Sequence, residues 1–133
     1  MDTLTAAARW ATTWERSWTA GDVASIVALY RPDASYRSHP HREPEQGGAL
    51  GYVSRTFAEE SRVWCRFGPP MASSGRAAVE WWACFDEEGT LLGACQDIMG
   101  WWGNDVGNGA RLITDLFSLE SDGWIVSDEN IGG

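Results

Sequence analysis

Lysine is absent from this 133-residue chain; all ten basic residues are arginine. That excludes Schiff-base chemistry on a lysine. Cysteine is scarce: Cys65, Cys84 and Cys95 form no close motif. An odd count rules out a full disulfide framework, and each reads as a small buried hydrophobe within a strand. The only histidines, His39 and His41, flank Pro40, and no third ligand has supporting spacing, so no metal site is expected. Basic charge is outweighed, leaving a formal net charge of -9. Nucleic acid and anionic membrane are disfavoured as partners, because both need a basic patch. No apolar run approaches the length of a membrane span and no signal-peptide pattern opens the chain; a cytoplasmic location is expected.

What is present is tryptophan. Nine indoles in a chain that is 44% hydrophobic and 22% charged suit the core, a pocket wall or an interface of an ordered soluble domain. The length fits a single domain over residues 1–133.

Leu4, Ala7, Ala11, Trp14 and Trp18 recur at three- and four-residue spacing, which predicts an amphipathic helix capped by Asp2 or Thr3 and ended by Gly21. Asp22 caps a second helix with Val23, Ile26, Val27 and Tyr30 on its apolar stripe, stopped by Pro32-Asp33. Ala34–Ser38 reads as a short strand, 39–48 as a loop, and Ala49 to about Ser61 as a third helix. Strands follow at Val63–Phe67, Arg76–Phe85, Thr90–Trp102 and Arg111–Leu119, with a last short one at Trp124–Asp128. Asp86-Glu87-Glu88-Gly89 is a plausible hairpin turn. Helices first and antiparallel strands later is the α+β pattern.

Alternate residues of a strand share a face. Asp97 stands among Leu91, Gly93, Cys95, Met99 and Trp101, and Asp115 among Ile113, Phe117 and Leu119. A carboxyl on an apolar face is desolvated, its pKa rises, and it becomes useful for proton transfer near neutral pH. Two such carboxyls on neighbouring strands can share a proton. The plainer alternative is exposure, or an ion pair with Arg37 or Arg111. His39, at the end of a strand, is a candidate base at a pocket mouth. Glu80 is read as the partner of an arginine from the adjacent strand or subunit, or else as a pocket group. Trp82 and Trp101 serve as core, dimer contact or pocket wall, and Tyr30 and Tyr36 either bridge helix and sheet or offer a hydroxyl to a ligand.

The order Trp14-Glu15-Arg16-Ser17-Trp18-Thr19-Ala20-Gly21-Asp22-Val23, then Leu29-Tyr30-Arg31-Pro32-Asp33-Ala34, then Ser38-His39-Pro40 resembles the opening of the nuclear transport factor 2-like superfamily. Within it, the chain resembles the SnoaL-like group of polyketide cyclases, related to ketosteroid isomerase. The resemblance runs from about Ala7 to Phe117. It implies a cone-shaped roll: three N-terminal helices packed on a curved, mainly antiparallel sheet with a central pocket. It sets Trp14 where the isomerase has its oxyanion-binding tyrosine. The general base falls on Ser38, or on His39 if the match runs through Pro40. The protonated oxyanion aspartate falls on Asp97, and Asp115 falls on a pocket-facing position of a late strand. An indole donates a hydrogen bond but transfers no proton, and Ser38 is no carboxylate base, so the isomerase triad is incomplete.

Two readings follow. One is a cofactor-independent enzyme (isomerase, cyclase or hydratase) that moves protons with Asp97, Asp115 and His39 on a small apolar molecule. Trp14, Tyr30, Tyr36, Trp82, Met99, Trp101 and Phe117 would bind that molecule. The other is a non-catalytic ligand-binding or dimerisation module of the same fold. A homodimer is expected in both.

Overall fold

A computed structural model of the chain describes residues 1–38, 43–87, 90–91 and 113–130, with the backbone alone at 59–62, 82, 84–87, 90–91 and 113. Its elements are α1 (Thr3–Ala20), α2 (Val23–Val27), β1 (Tyr30–Arg37), α3 (Gly48–Glu59), β2 (Glu60–Phe67), β3 (Met71–Ser73), β4 (Arg76–Glu87), β5 (Thr90–Leu91), β6 (Ile113–Leu119) and β7 (Ile125–Asn130). Among the described residues, no helix is long and apolar enough to cross a membrane.

Local chemistry sets the ends of α1. The Asp2 side chain accepts from the Thr5 N–H at 2.8 Å and the Thr5 hydroxyl at 2.9 Å, filling an orphan donor of the first turn. At the other end Gly21 has φ 71°. The N–H of Asp22 returns to the Ser17 carbonyl at 2.8 Å, and that of Gly21 to Trp18 at 3.2 Å. This double closure needs a residue that enters the left-handed region without strain. Asp22 then caps α2 through Ser25.

The sheet runs β1-β7-β6-β4-β2, with β3 and β5 also on β4. β1 pairs with β7 in parallel; the other pairings are antiparallel. Register shifts interrupt β1–β7 between Tyr30 and Ser35, β2–β4 between Ser61 and Trp64, and β6–β7 between Ser118 and Leu119. Such irregularities bend strands and increase twist. The sheet curls into a half-barrel with α1 packed on it, the α+β cone expected from the sequence.

Three expectations need correction. Tyr30 opens β1 instead of closing the second helix. α2 is only five residues long, and the strand runs through Pro32. The missing N–H of Pro32 falls in the irregular stretch of the β1–β7 ladder, where it interrupts no regular pairing. On α1, Leu4 is exposed, whereas Trp10, absent from the expected stripe, is only 1% exposed. β3 has no counterpart in the sequence reading. The β4–β5 pairing, Glu87 with Thr90 and Asp86 with Leu91, agrees with the expected hairpin.

The core between helices and sheet is largely aromatic. Trp10 stacks on Phe117 with ring centroids 4.8 Å apart, Phe67 on Trp81 at 5.5 Å, and Trp18 on Phe57 at 6.2 Å. Trp14 meets Trp18 edge to face at 5.6 Å. Each such pair adds about 0.5–1.5 kcal/mol beyond its burial.

Candidate active site

Strand register assembles the site. On β6, Asp115 lies opposite Asn130 of β7, and Phe117 opposite Asp128. Asp115 and Asp128 are therefore diagonal neighbours on one face, a spacing that side chains can bridge. On the other side of β7, Tyr36 of β1 is the partner of Asp128. On the other side of β6, Val79 of β4 is the partner of Asp115, with Trp81 two residues further on. The inner face thus carries Tyr36, Asp128, Asp115 and Trp81 in a band across four strands.

Both carboxyls are buried: Asp115 is 2% exposed and Asp128 0%. Trp81 Nε1 donates to Asp115 Oδ1 at 2.9 Å. The Tyr30 hydroxyl donates to Asp128 Oδ2 at 2.6 Å. That phenol oxygen accepts from Trp10 Nε1 at 3.0 Å and Trp14 Nε1 at 3.1 Å. The two carboxyls are in hydrogen-bonding reach of each other. Among the described residues Asp128 Oδ1 has no donor.

Burial governs the titration. It raises Asp128 well above the ordinary aspartate range; the neighbouring Asp115 charge adds to this, while Tyr30 and Trp10 oppose it. Burial also raises Asp115, against hydrogen bonds from Asp128 and Trp81. Two carboxyls desolvated side by side cannot both ionise cheaply, so the pair keeps a shared proton to higher pH than a lone aspartate would. A protonated carboxyl between them also supplies the donor that two carboxylates would lack. Tyr30 and Tyr36 are both held well above the usual phenol range by burial first, with the two aspartates adding to it.

Of the residues singled out from sequence, Asp115, Trp14, Tyr30, Tyr36 and Phe117 come together here. Tyr36 stacks on Tyr52 at 4.9 Å and meets Tyr30 edge to face at 6.2 Å. Trp82 belongs to β4 opposite Arg66, with its side chain outside the described set. Asp97, His39, Met99 and Trp101 lie outside the described residues, as do His41, Arg111 and Cys95. Arg37 pairs with Glu129 at 3.6 Å, and Glu80 is exposed. Ser38, where the resemblance sets a base, donates to Glu45 Oε1, and the other Glu45 oxygen meets Arg55 at 3.2 Å. Cys65 donates to the Glu15 carbonyl at 3.4 Å, and burial pushes its thiol up to about 11. Among the described residues no group of three His, Cys, Asp or Glu side chains gathers as a metal site would require.

Asp128 is the residue the sequence reading missed. Strict alternation from the buried Ile125 would turn Ser127 inward and Asp128 outward. The bulge opposite Ser118 and Leu119 shifts the phase, so Ile125 and Asp128, three apart, are both buried.

Aromatic rings pack between α1 and the sheet beside the pair. Two clefts among the described residues lie away from the pair. One of about 440 Å³ has Val27, Arg31, Leu50 and Trp124 in its wall and reaches Tyr30. Another, about 510 Å³, follows β3 and β4 with Met71, Arg76 and Leu116.

No family model matches the sequence, and no curated protein matches it. Solved structures do. A protein of unknown function from an Exiguobacterium species, described as NTF2-like, shares 13% identity at a TM-score of 0.65, over 96% of this chain and 98% of its own. A hypothetical protein from Catenulispora acidiphila with a ketosteroid isomerase-like fold, solved with trimethylamine, shares 18% identity at a TM-score of 0.65, over 90% of this chain and 81% of its own. SalBIII, an epoxide hydrolase/cyclase-like enzyme described in pyran ring formation in the polyether salinomycin, shares 16% identity at a TM-score of 0.66, over 97% of this chain and 91% of its own. These likenesses show the nuclear transport factor 2-like fold.

Proposed function

We propose that the chain is a cofactor-independent enzyme that moves protons on a small apolar molecule, with Asp115 and Asp128 as its reacting pair. The observation that carries this reading is the burial of two carboxyls side by side, within hydrogen-bonding reach of each other, under aromatic rings. A pair holding one proton offers an acid and a base at one point, at a pH where free aspartates offer only bases. That suits cyclisation or hydration of an epoxide. One carboxyl takes the proton of the attacking hydroxyl as the new C–O bond forms. The other gives its proton to the ring oxygen as the old C–O bond breaks, and the pair ends with one proton as it began. Isomerisation by removing and returning a proton fits the same pair. The likeness to an epoxide hydrolase/cyclase-like enzyme supports the choice at the level of fold, which hosts many functions. His39 and Asp97 remain proposed further members of the site.

The test is product analysis with epoxy-alcohols, apolar epoxides and β,γ-enones. Wild type should convert one class, and Asp115→Asn and Asp128→Asn should each lose at least about 100-fold. Equal conversion by folded variants would remove the pair from the chemistry. A second reading, a non-catalytic ligand-binding or dimerisation module, is favoured by the rings packed beside the pair. It predicts ligand binding or self-association without turnover of any class.

A further inference from the structure

The hydrogen bonds around the carboxyl pair have directions that chemistry fixes. An indole donates and cannot accept. Trp10 and Trp14 therefore occupy both lone pairs of the Tyr30 oxygen. The phenol has a single proton, directed at Asp128 Oδ2 over 2.6 Å, a length typical of a hydroxyl bound to a carboxylate. A hydroxyl that accepts two bonds is polarised and becomes a stronger donor in the third. Two successive turns of one helix thus send donors to one phenol, and Trp10 also reaches Asp128 directly.

We propose that Trp14 acts on the carboxyl pair through Tyr30, with Trp10 supporting the same phenol, all three being positioning residues that stabilise the pair's single negative charge. Trp81 performs the corresponding service for Asp115 from β4. Among the described residues, the titratable groups facing the pair are Tyr30 and Tyr36 of β1; α1 and β4 add only neutral indoles. Trp14 is the informative member, because its indole reaches the phenol while the carboxyls lie one bond further on.

This inference rests on Asp115 and Asp128 as the reacting pair, but its test needs no substrate. Infrared spectra of the free protein are titrated in light and heavy water, following the carbonyl band of the buried protonated carboxyl that Asp128→Asn alters. Losing a hydrogen bond to a charged group should move the pH of ionisation upward in Tyr30→Phe by roughly one to two units, a ten- to hundredfold change in proton affinity. Trp14→Phe should move it the same way by less. In the Tyr30→Phe background, Trp14→Phe should have no further effect, since its path is gone. Where the phenylalanine variants do not fold, site-specific 3-fluorotyrosine at position 30, a better donor, should move ionisation downward. An unmoved band in the folded variants or the fluorinated protein overturns the relay. So does a Trp14 effect that persists without the phenol. Absent turnover with a moving band would reject the enzyme reading while leaving the relay standing.

Discussion

At the scale of single residues, Asp128 decides most. Its pKa is raised in the folded protein relative to about 3.9 in an unfolded chain. The folded state therefore keeps a proton that the unfolded state has released, and stability falls as pH rises from about 4 towards the raised value. Replacing it with asparagine, which mimics the neutral acid, should remove much of that slope. Thermal midpoints measured from pH 5 to 8 should decline more in wild type than in Asp128→Asn; parallel curves would show that the pair does not hold the proton. Asp115 was legible in the sequence because β6 alternates strictly, setting one carboxyl among Ile113, Phe117 and Leu119. Asp128 was not, because a one-residue bulge reverses the side that alternation assigns. Trp10 was missed for a related reason: apolar spacing marks a helical stripe but does not rank the residues on it.

At the scale of elements, α3 and β1 approach each other where only glycine fits. Gly48 opens α3 at φ 62°, and a Cβ there would sit 2.8 Å from the Ala34 carbonyl oxygen. Gly48→Ala combines left-handed backbone strain with a backbone clash, and should cost about 1–3 kcal/mol by denaturant unfolding. An unchanged midpoint would mean that the two elements are free to separate. α1 carries more. Trp10 stacks on Phe117 of β6 and meets Phe67 of β2, so Trp10→Ala should cost about 3–5 kcal/mol. Helices α1 and α3, the ends of β2 and β6 and the start of β4 were readable from period and punctuation, whereas Glu60 and Ser61, read as the close of the third helix, begin β2. The split between α2 and β1 was not: Val23, Ile26, Val27 and Tyr30 fit a helical stripe, but sheet pairing of Tyr30 with Ile125 prevails over local periodicity in so short a segment.

At the scale of the whole molecule, the cone fold was legible because its helices, turns and hairpin follow one another in an order that few architectures accommodate. The chemistry was less so, because it depends on which strands lie side by side, and β1 beside β7 joins segments nearly a hundred residues apart. Outside the cone, Met71 is 60% exposed beside the cleft along β3 and β4. We propose that a second copy covers this face. Sedimentation at micromolar concentration should give a dimer that Met71→Glu weakens, whereas a wild-type monomer would reject it. The proposed chemistry depends on one shared proton at the carboxyl pair. Its most direct test is the pH dependence of kcat/KM on a converted epoxide. We expect a bell whose maximum falls where the pair holds one proton, with each Asp→Asn variant at least about 100-fold slower across it. A flat profile, or folded variants as fast as wild type, would contradict it.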